Sequence, residues 1–183
     1  MPFKPLFVLG LFAAALAQPA HAALKVGSPA PDFRAPAYLA GKAFTFKLSE
    51  ALKKGPVVVY FFPAAYTPGC NIEAHLFSKA IDDFRKAGAS VIGVTAGNTD
   101  QLAKFSADNE RCGGKFPVAA DDGARIAKLY DAQLTMKPSW SSRVSFVIAP
   151  DGRIRHVHDA MKPEGHIKET LAVVQAMRKP AVK

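Results

Sequence analysis

Val57-Val-Val-Tyr-Phe-Phe62, running directly into Pro63-Ala-Ala-Tyr-Thr-Pro-Gly-Cys-Asn-Ile-Glu73, is the stretch on which the reading of this chain turns. The first six residues are β-branched or aromatic throughout, as in a strand buried on both faces. From Asn71 to Ala87 the apolar residues fall at Ile72, Phe77, Ala80, Ile81 and Phe84, close to the spacing of an amphipathic helix. Cys70 therefore stands where a core strand passes into a helix. The first turn of a helix leaves backbone N–H groups unpaired and carries partial positive charge, and both favour a thiolate over a thiol. A cysteine so placed can have its pKa lowered well below the free value of about 8.5, which makes it nucleophilic at neutral pH. Thr67 suits the N-cap and Pro68 the first helical position. The Thr67 hydroxyl is also within reach of the sulfur or of a bound substrate. Cys70 is the candidate nucleophile.

Outward from this stretch the elements follow in a simple order. Leu24 to Phe33 is a proline-interrupted lead-in, Phe44 to Leu48 alternates as a half-buried strand, and Ser49 to Gly55 reads as a helical turn ended by glycine. Ser90 to Thr95 is a second buried strand, so strand, helix and strand form a parallel crossover with Cys70 and the Thr95–Asn98 loop at the carboxyl ends. A helix is expected over Thr99–Asp108, decaying into Asn109-Glu-Arg-Cys-Gly-Gly114. Phe116–Ala120 is a short strand. Asp121-Asp-Gly123 lacks the remaining ligands of a calcium loop and reads as a turn opening a helix over Ala124–Ala132. Lys137 to Ser142 reads as a loop whose Trp140 is a lid or packing residue. Val144–Ile148 and Arg153–His158 form a hairpin about Asp151-Gly152, and Arg143 stands at its mouth. Pro163–Met177 closes the chain as a helix with Ile167, Leu171, Val174 and Met177 inward. This order predicts an α/β fold, a central mixed sheet with helices on both faces.

The ends and the charge set further bounds. Lys4, the apolar run Leu6–Ala17 and Ala20-His-Ala22 have the layout of a secretory signal peptide over residues 1–22. The run is shorter than the ~20 residues a membrane span needs. One exported domain over residues 23–183 is expected, long enough to bury its own core. The formal charge is +9, but the basic residues are scattered and no stripe of them interleaves with aromatics. Nucleic acid is therefore not expected as a partner. Cys70 and Cys112 are the only cysteines, and in an oxidising compartment they form either a structural disulfide or a redox-active pair. Cys112 lies in a glycine-flanked segment expected to be loose, which suits a resolving thiol or an incidental one. His156 and His158 face one side of a strand, yet the sequence specifies no further ligands, so no metal site is expected. Glu73 reads as a charge complementing the helix dipole or as a local ion-pair partner.

Pro63, Thr67 and Cys70 stand in the pattern P-x-x-x-T-x-x-C, and the chain resembles the peroxiredoxins on these residues. Thr-Pro-Gly-Cys with Glu73 behind it looks most like the Q-type, bacterioferritin-comigratory branch. The likeness extends to Val26-Gly-Ser-Pro-Ala-Pro-Asp-Phe33, to Arg143–Ile148 and to Lys162-Pro-Glu-Gly-His166. The resemblance implies a thioredoxin-like fold with an N-terminal β extension and a thiol peroxidase acting on hydrogen peroxide and small organic hydroperoxides. In that reading Cys70 is the peroxidatic nucleophile, Thr67 and Arg143 stabilise the charge on the leaving oxygen, and Pro63 shields the sulfur. Cys112 is the resolving cysteine, reached through a sulfenic acid and a Cys70–Cys112 disulfide. An external thioredoxin-like dithiol restores the pair, with no metal, haem or flavin. Monomers or weak homodimers in the periplasm are the expected setting. The chain departs from a common Q-type pattern in carrying His75, not cysteine, five residues after Cys70. Two other readings stay open: a thiol-disulfide oxidoreductase, which would need Cys-x-x-Cys where this chain has Glu73, and an exported domain with a structural disulfide.

Overall fold

The computed structural model describes residues 23–178. The expected leader over residues 1–22 lies outside the described residues, as does the tail beyond Arg178. In order, the elements are β1 (Arg34–Leu39), β2 (Lys42–Lys47), α1 (Leu48–Leu52), β3 (Val57–Phe61), α2 (Pro68–Lys86), β4 (Ser90–Thr95), α3 (Leu102–Ala107) and β5 (Val118–Ala120). Then come α4 (Arg125–Leu129), β6 (Gln133–Leu134), β7 (Lys137–Ser141), β8 (Val144–Ile148), β9 (Ile154–Asp159) and α5 (Pro163–Met177).

Seven strands form one sheet in the order β2-β1-β5-β4-β3-β8-β9. β3 pairs parallel with β4 and β4 with β5, whereas β8 and β9 add antiparallel on the other side of β3. The sheet is mixed, as expected from the element order. The N-terminal extension is a β1–β2 hairpin in which Arg34 opposes Lys47 and Leu39 opposes Lys42.

β3 shows why two layers of helix are needed. All five of its residues are buried, and the alternation of a strand sends them to opposite faces. Val57, Val59 and Phe61 join Leu48, Leu52, Ile126 and Ala127 of α1 and α4 on one side. Val58, Tyr60 and Phe62 join Phe77, Leu102, Phe105 and Val174 of α2, α3 and α5 on the other. Cys70 and Cys112 both belong to the second of these clusters.

Several expectations need correcting. α2 begins at Pro68, and its buried face carries Cys70, Glu73, Ala74, Phe77, Ser78, Ile81 and Phe84. Ile72, read as inward, is 49% exposed, because the face is fixed by the packing of Phe77 and Phe84 and leaves Ile72 off it. The helix expected over Thr99–Asp108 is a 3-10 turn, Thr99–Gln101, followed by the shorter α3. Lys137–Ser142, read as a loop, is largely strand β7, paired with β6. α4 ends at Leu129, short of the expected Ala132. Both carboxylate oxygens of buried Asp121 accept from backbone N–H groups at its start, Ile126 and Ala127, each at 2.8 Å. That acidic pair is thus a helix-opening turn.

Candidate active site

Cys70 lies at the mouth that β3 and α2 make together. With Thr67 at the N-cap and Pro68 and Gly69 next, Cys70 is the third helical residue, and the first helical hydrogen bond runs from the Asn71 N–H to the Thr67 carbonyl at 2.9 Å. The N–H groups of Gly69 and Cys70 precede that bond, so neither has a carbonyl within the helix to donate to. Tyr66 turns the chain into this position with φ of 63°, a left-handed conformation that costs a residue with a side chain roughly 1–2 kcal/mol. Its hydroxyl reaches Asp108 at 3.4 Å.

Arg143 meets the sulfur from the position just before β8, the neighbour of β3. Only 4% of its side chain is exposed, and Nη2 lies 3.5 Å from Cys70 Sγ. Nη1 donates to the Gly69 carbonyl at 3.4 Å and pairs with Glu73 Oε2. This approach depends on Gly69 having no side chain, since a Cβ there would stand 2.8 Å from Nη2. Cys70 is itself 1% exposed, so little solvent screens the guanidinium from the sulfur.

Behind Arg143 a polar cluster is closed off from water. Glu73 is fully buried; burial pushes its carboxyl up to about 8, against the pull of Arg143. Burial draws Arg143 down, but Glu73 and Cys70 more than offset this and leave it raised. His166 Nδ1 is 3.7 Å from Glu73 Oε1 and 2.8 Å from the Ser145 hydroxyl. Its Nε2 meets the Ala160 carbonyl at 2.8 Å. A carbonyl only accepts, so Nε2 carries the proton and Ser145 donates to Nδ1. Burial holds His166 down at about 4, which keeps it neutral. Glu73, expected as a helix-dipole charge or a local ion-pair partner, is instead buried against Arg143, which reaches it across the fold from just before β8. The sequence signal that could have found this is a glutamate among the buried positions of an apolar helix face.

The remaining expected residues are placed as follows. Thr67 occupies the N-cap position, but its hydroxyl donates back to the Ala64 carbonyl at 3.1 Å and makes no capping bond. Pro63 is half-buried at the end of β3, and its carbonyl accepts the Thr95 hydroxyl at 3.0 Å. Cys112, expected in a loose segment, is fully buried in the apolar cluster that also holds Cys70, Phe62, Phe105 and Phe116. Burial, then Asp108, pushes its thiol up. The glycines beside it serve compact turns, because Gly113 N–H donates to Asp108 O at 2.9 Å and Gly114 N–H to Ser106 O at 2.8 Å. Both cysteines are free thiols here. Sequence reasoning missed Tyr60, whose hydroxyl is buried without a partner in the same cluster. It is admitted by Gly93, where a Cβ would approach it to 2.7 Å.

Residues 26–157 match the AhpC/TSA family. The chain is similar to the chloroplastic peroxiredoxin Q of Oryza sativa subsp. japonica, 32% identical over 126 residues, which make up 68% of this chain and 57% of the relative. It is also similar to peroxiredoxin Bcp of Escherichia coli (strain K12), 31% identical over 115 residues, covering 60% of this chain and 72% of the relative. Among solved structures, peroxidoxin BcpB of Mycobacterium tuberculosis superposes with a TM-score of 0.75 at 29% identity, over 85% of this chain and 99% of that one. The reduced 2-Cys peroxiredoxin of Plasmodium vivax, at 22% identity and a TM-score of 0.72, shares the fold over 83% of this chain and 95% of its own.

Proposed function

The chain belongs to the AhpC/TSA family, and on that premise we propose that it is a thiol peroxidase reducing hydrogen peroxide and small organic hydroperoxides through Cys70. The observation that carries this reading is the Arg143 guanidinium, 3.5 Å from Cys70 Sγ at the start of a helix. Negative charge on the sulfur meets a fixed cation and the positive end of a helix in a site nearly closed to water, where such interactions are strongest.

In the reaction the thiolate attacks the terminal peroxide oxygen. The S–O bond forms as the O–O bond breaks, and the departing alkoxide or hydroxide takes up a proton from solvent. Arg143 stabilises the charge moving onto the leaving oxygen, with Thr67 at the same mouth and Pro63 beside it. The Cys70 sulfenic acid then condenses with the Cys112 thiol, releasing water and forming a disulfide. A dithiol protein of thioredoxin type returns both sulfurs to thiols by exchange. Because Cys112 is buried, this second step follows an opening of its segment. The leader read over residues 1–22 supports export to the periplasm, and the working unit is a monomer or weak homodimer.

The test is single-turnover peroxide consumption by the reduced chain, with Cys70→Ser and Cys112→Ser alongside and intact mass measured afterwards. Cys70→Ser is expected to be inert. Cys112→Ser is expected to consume one peroxide and gain one oxygen, where the wild-type chain loses two hydrogens. If all three react only at the rate of an ordinary thiol, the peroxidase reading is wrong.

A further inference from the structure

β9 is an edge strand of the sheet, and α5 packs against the face on which its alternate side chains lie. His156 and His158 project from that face with rings near parallel, centroids 6.5 Å and planes 17° apart. From α5, Glu169 brings Oε2 to 3.2 Å from His156 Nε2 and 2.9 Å from His158 Nδ1. The chosen donor atoms of all three residues lie within 4.8 Å of one another. The histidine pair alone specified no site in the sequence. The third donor comes from the next element and is brought over only by the chain reversal between β9 and α5.

A shared carboxylate accepting from both rings would account for part of this cluster. It does not account for His156 Nε2, which is closed to solvent and 3.2 Å from that carboxylate yet not in hydrogen-bond geometry with it. Ligands about 2.0–2.2 Å from one tetrahedral ion sit roughly 3.3 Å from each other, close to the two N···O separations. The His158 ring is also held in place. Its Nε2 occupies the space a side chain at Gly165 would fill, and its face meets the His166 ring edge to face at 4.5 Å. Such outer contacts fix the direction of a ligating nitrogen. Glu169 is 46% exposed, which leaves an entry path for an ion.

We propose that His156, His158 and Glu169 bind one divalent ion of the zinc class, with a fourth position for water. Two imidazoles and a carboxylate suit Zn²⁺, Cu²⁺ or Ni²⁺, whereas Ca²⁺ and Mg²⁺ require more oxygen ligands than this cluster offers. The site is distinct from the reacting sulfur and independent of the peroxidase reading. It approaches that centre through His166, whose ring meets His158 and lies 3.7 Å from Glu73.

The experiment is a ZnCl₂ titration of the reduced chain against a chromophoric chelator, with long-range ¹H–¹⁵N spectra of the histidine rings recorded on the same samples. One equivalent is expected to bind, shifting the His156 and His158 ring signals and leaving those of His75 in place. Glu169→Ala alters only a half-exposed helical position and is expected to weaken binding by at least about tenfold, as is His156→Ala. Absence of saturable uptake overturns the proposal. So does uptake that Glu169→Ala leaves unchanged, or uptake that leaves the His156 and His158 signals unmoved and so belongs to the thiols.

Discussion

Glu73 is the residue at which charge and burial conflict most openly, since a fully buried carboxyl is ionised only at a cost that Arg143 offsets in part. Burial prevails in direction, raising the carboxyl from 4.5 to about 8. A neutral Glu73 leaves the Arg143 charge free to act on Cys70. The consequence for stability has a definite sign. Between those two values the folded chain holds a proton that the unfolded chain has released, so stability falls as pH rises through the window. Glu73→Gln keeps the shape and removes the titration. Relative to wild type, that variant is expected to gain stability from pH 5 to pH 8, by on the order of a few kcal/mol. Denaturant unfolding at the two pH values reads this directly, and parallel behaviour of the two proteins would show that the ionised pair with Arg143 wins instead.

At the scale of the element, the start of α2 serves both helix and site, and Gly69 is where the two uses diverge. Alanine is favoured over glycine inside a helix by up to about 1 kcal/mol, yet a Cβ at Gly69 would stand 2.8 Å from Arg143 Nη2. Gly69→Ala is therefore expected to push the buried guanidinium away from Cys70 and Glu73, lowering thermal stability despite the propensity gain and slowing peroxide reduction by roughly 10²-fold, the usual loss for one stabilising donor. Stopped-flow peroxide consumption checks it; an unchanged rate would mean the guanidinium is not needed at the sulfur. The strand into helix that frames Cys70 was legible because β3 is apolar without interruption and Pro68 marks the helix start. The α2 face was only partly legible, since apolar periodicity placed Ile72 inward and gave no reason to bury Glu73. The partner that makes Glu73 tolerable inside, Arg143, is 70 residues away. β7 was missed for a related reason: its strand state rests on pairing with β6, while Lys137-Pro-Ser-Trp-Ser carries turn-forming residues.

Across the whole molecule, the alternation of β3 divides the core into two clusters, and both thiols fall in the one beneath α2, α3 and α5. The mixed sheet followed from element order, but the burial of Cys112 did not. Glycines on its C-terminal side suggested looseness, whereas in the fold they turn with φ of 60° and 67° at Gly113 and Gly114 and tie the segment to Asp108 and Ser106. Local composition reports what a backbone can do and is silent on which side chains close over it. A closed Cys112 makes the proposed second half of the reaction a local unfolding event. The thiol leaves the apolar cluster it shares with Phe62, Phe105 and Phe116, and the turn bonds from Arg111, Gly113 and Gly114 are broken to release it. Oxidation to the disulfide is then expected to speed amide exchange in the 108–115 segment by roughly tenfold or more, with β3 and β4 still protected. Hydrogen exchange read by mass spectrometry on reduced and peroxide-treated protein tests this. Cys112→Ser, treated alike, should keep its protection because no bond draws the segment out. A disulfide that forms with protection unchanged would mean that Cys112 reaches Cys70 from within the closed core, and the opening step would have to be abandoned.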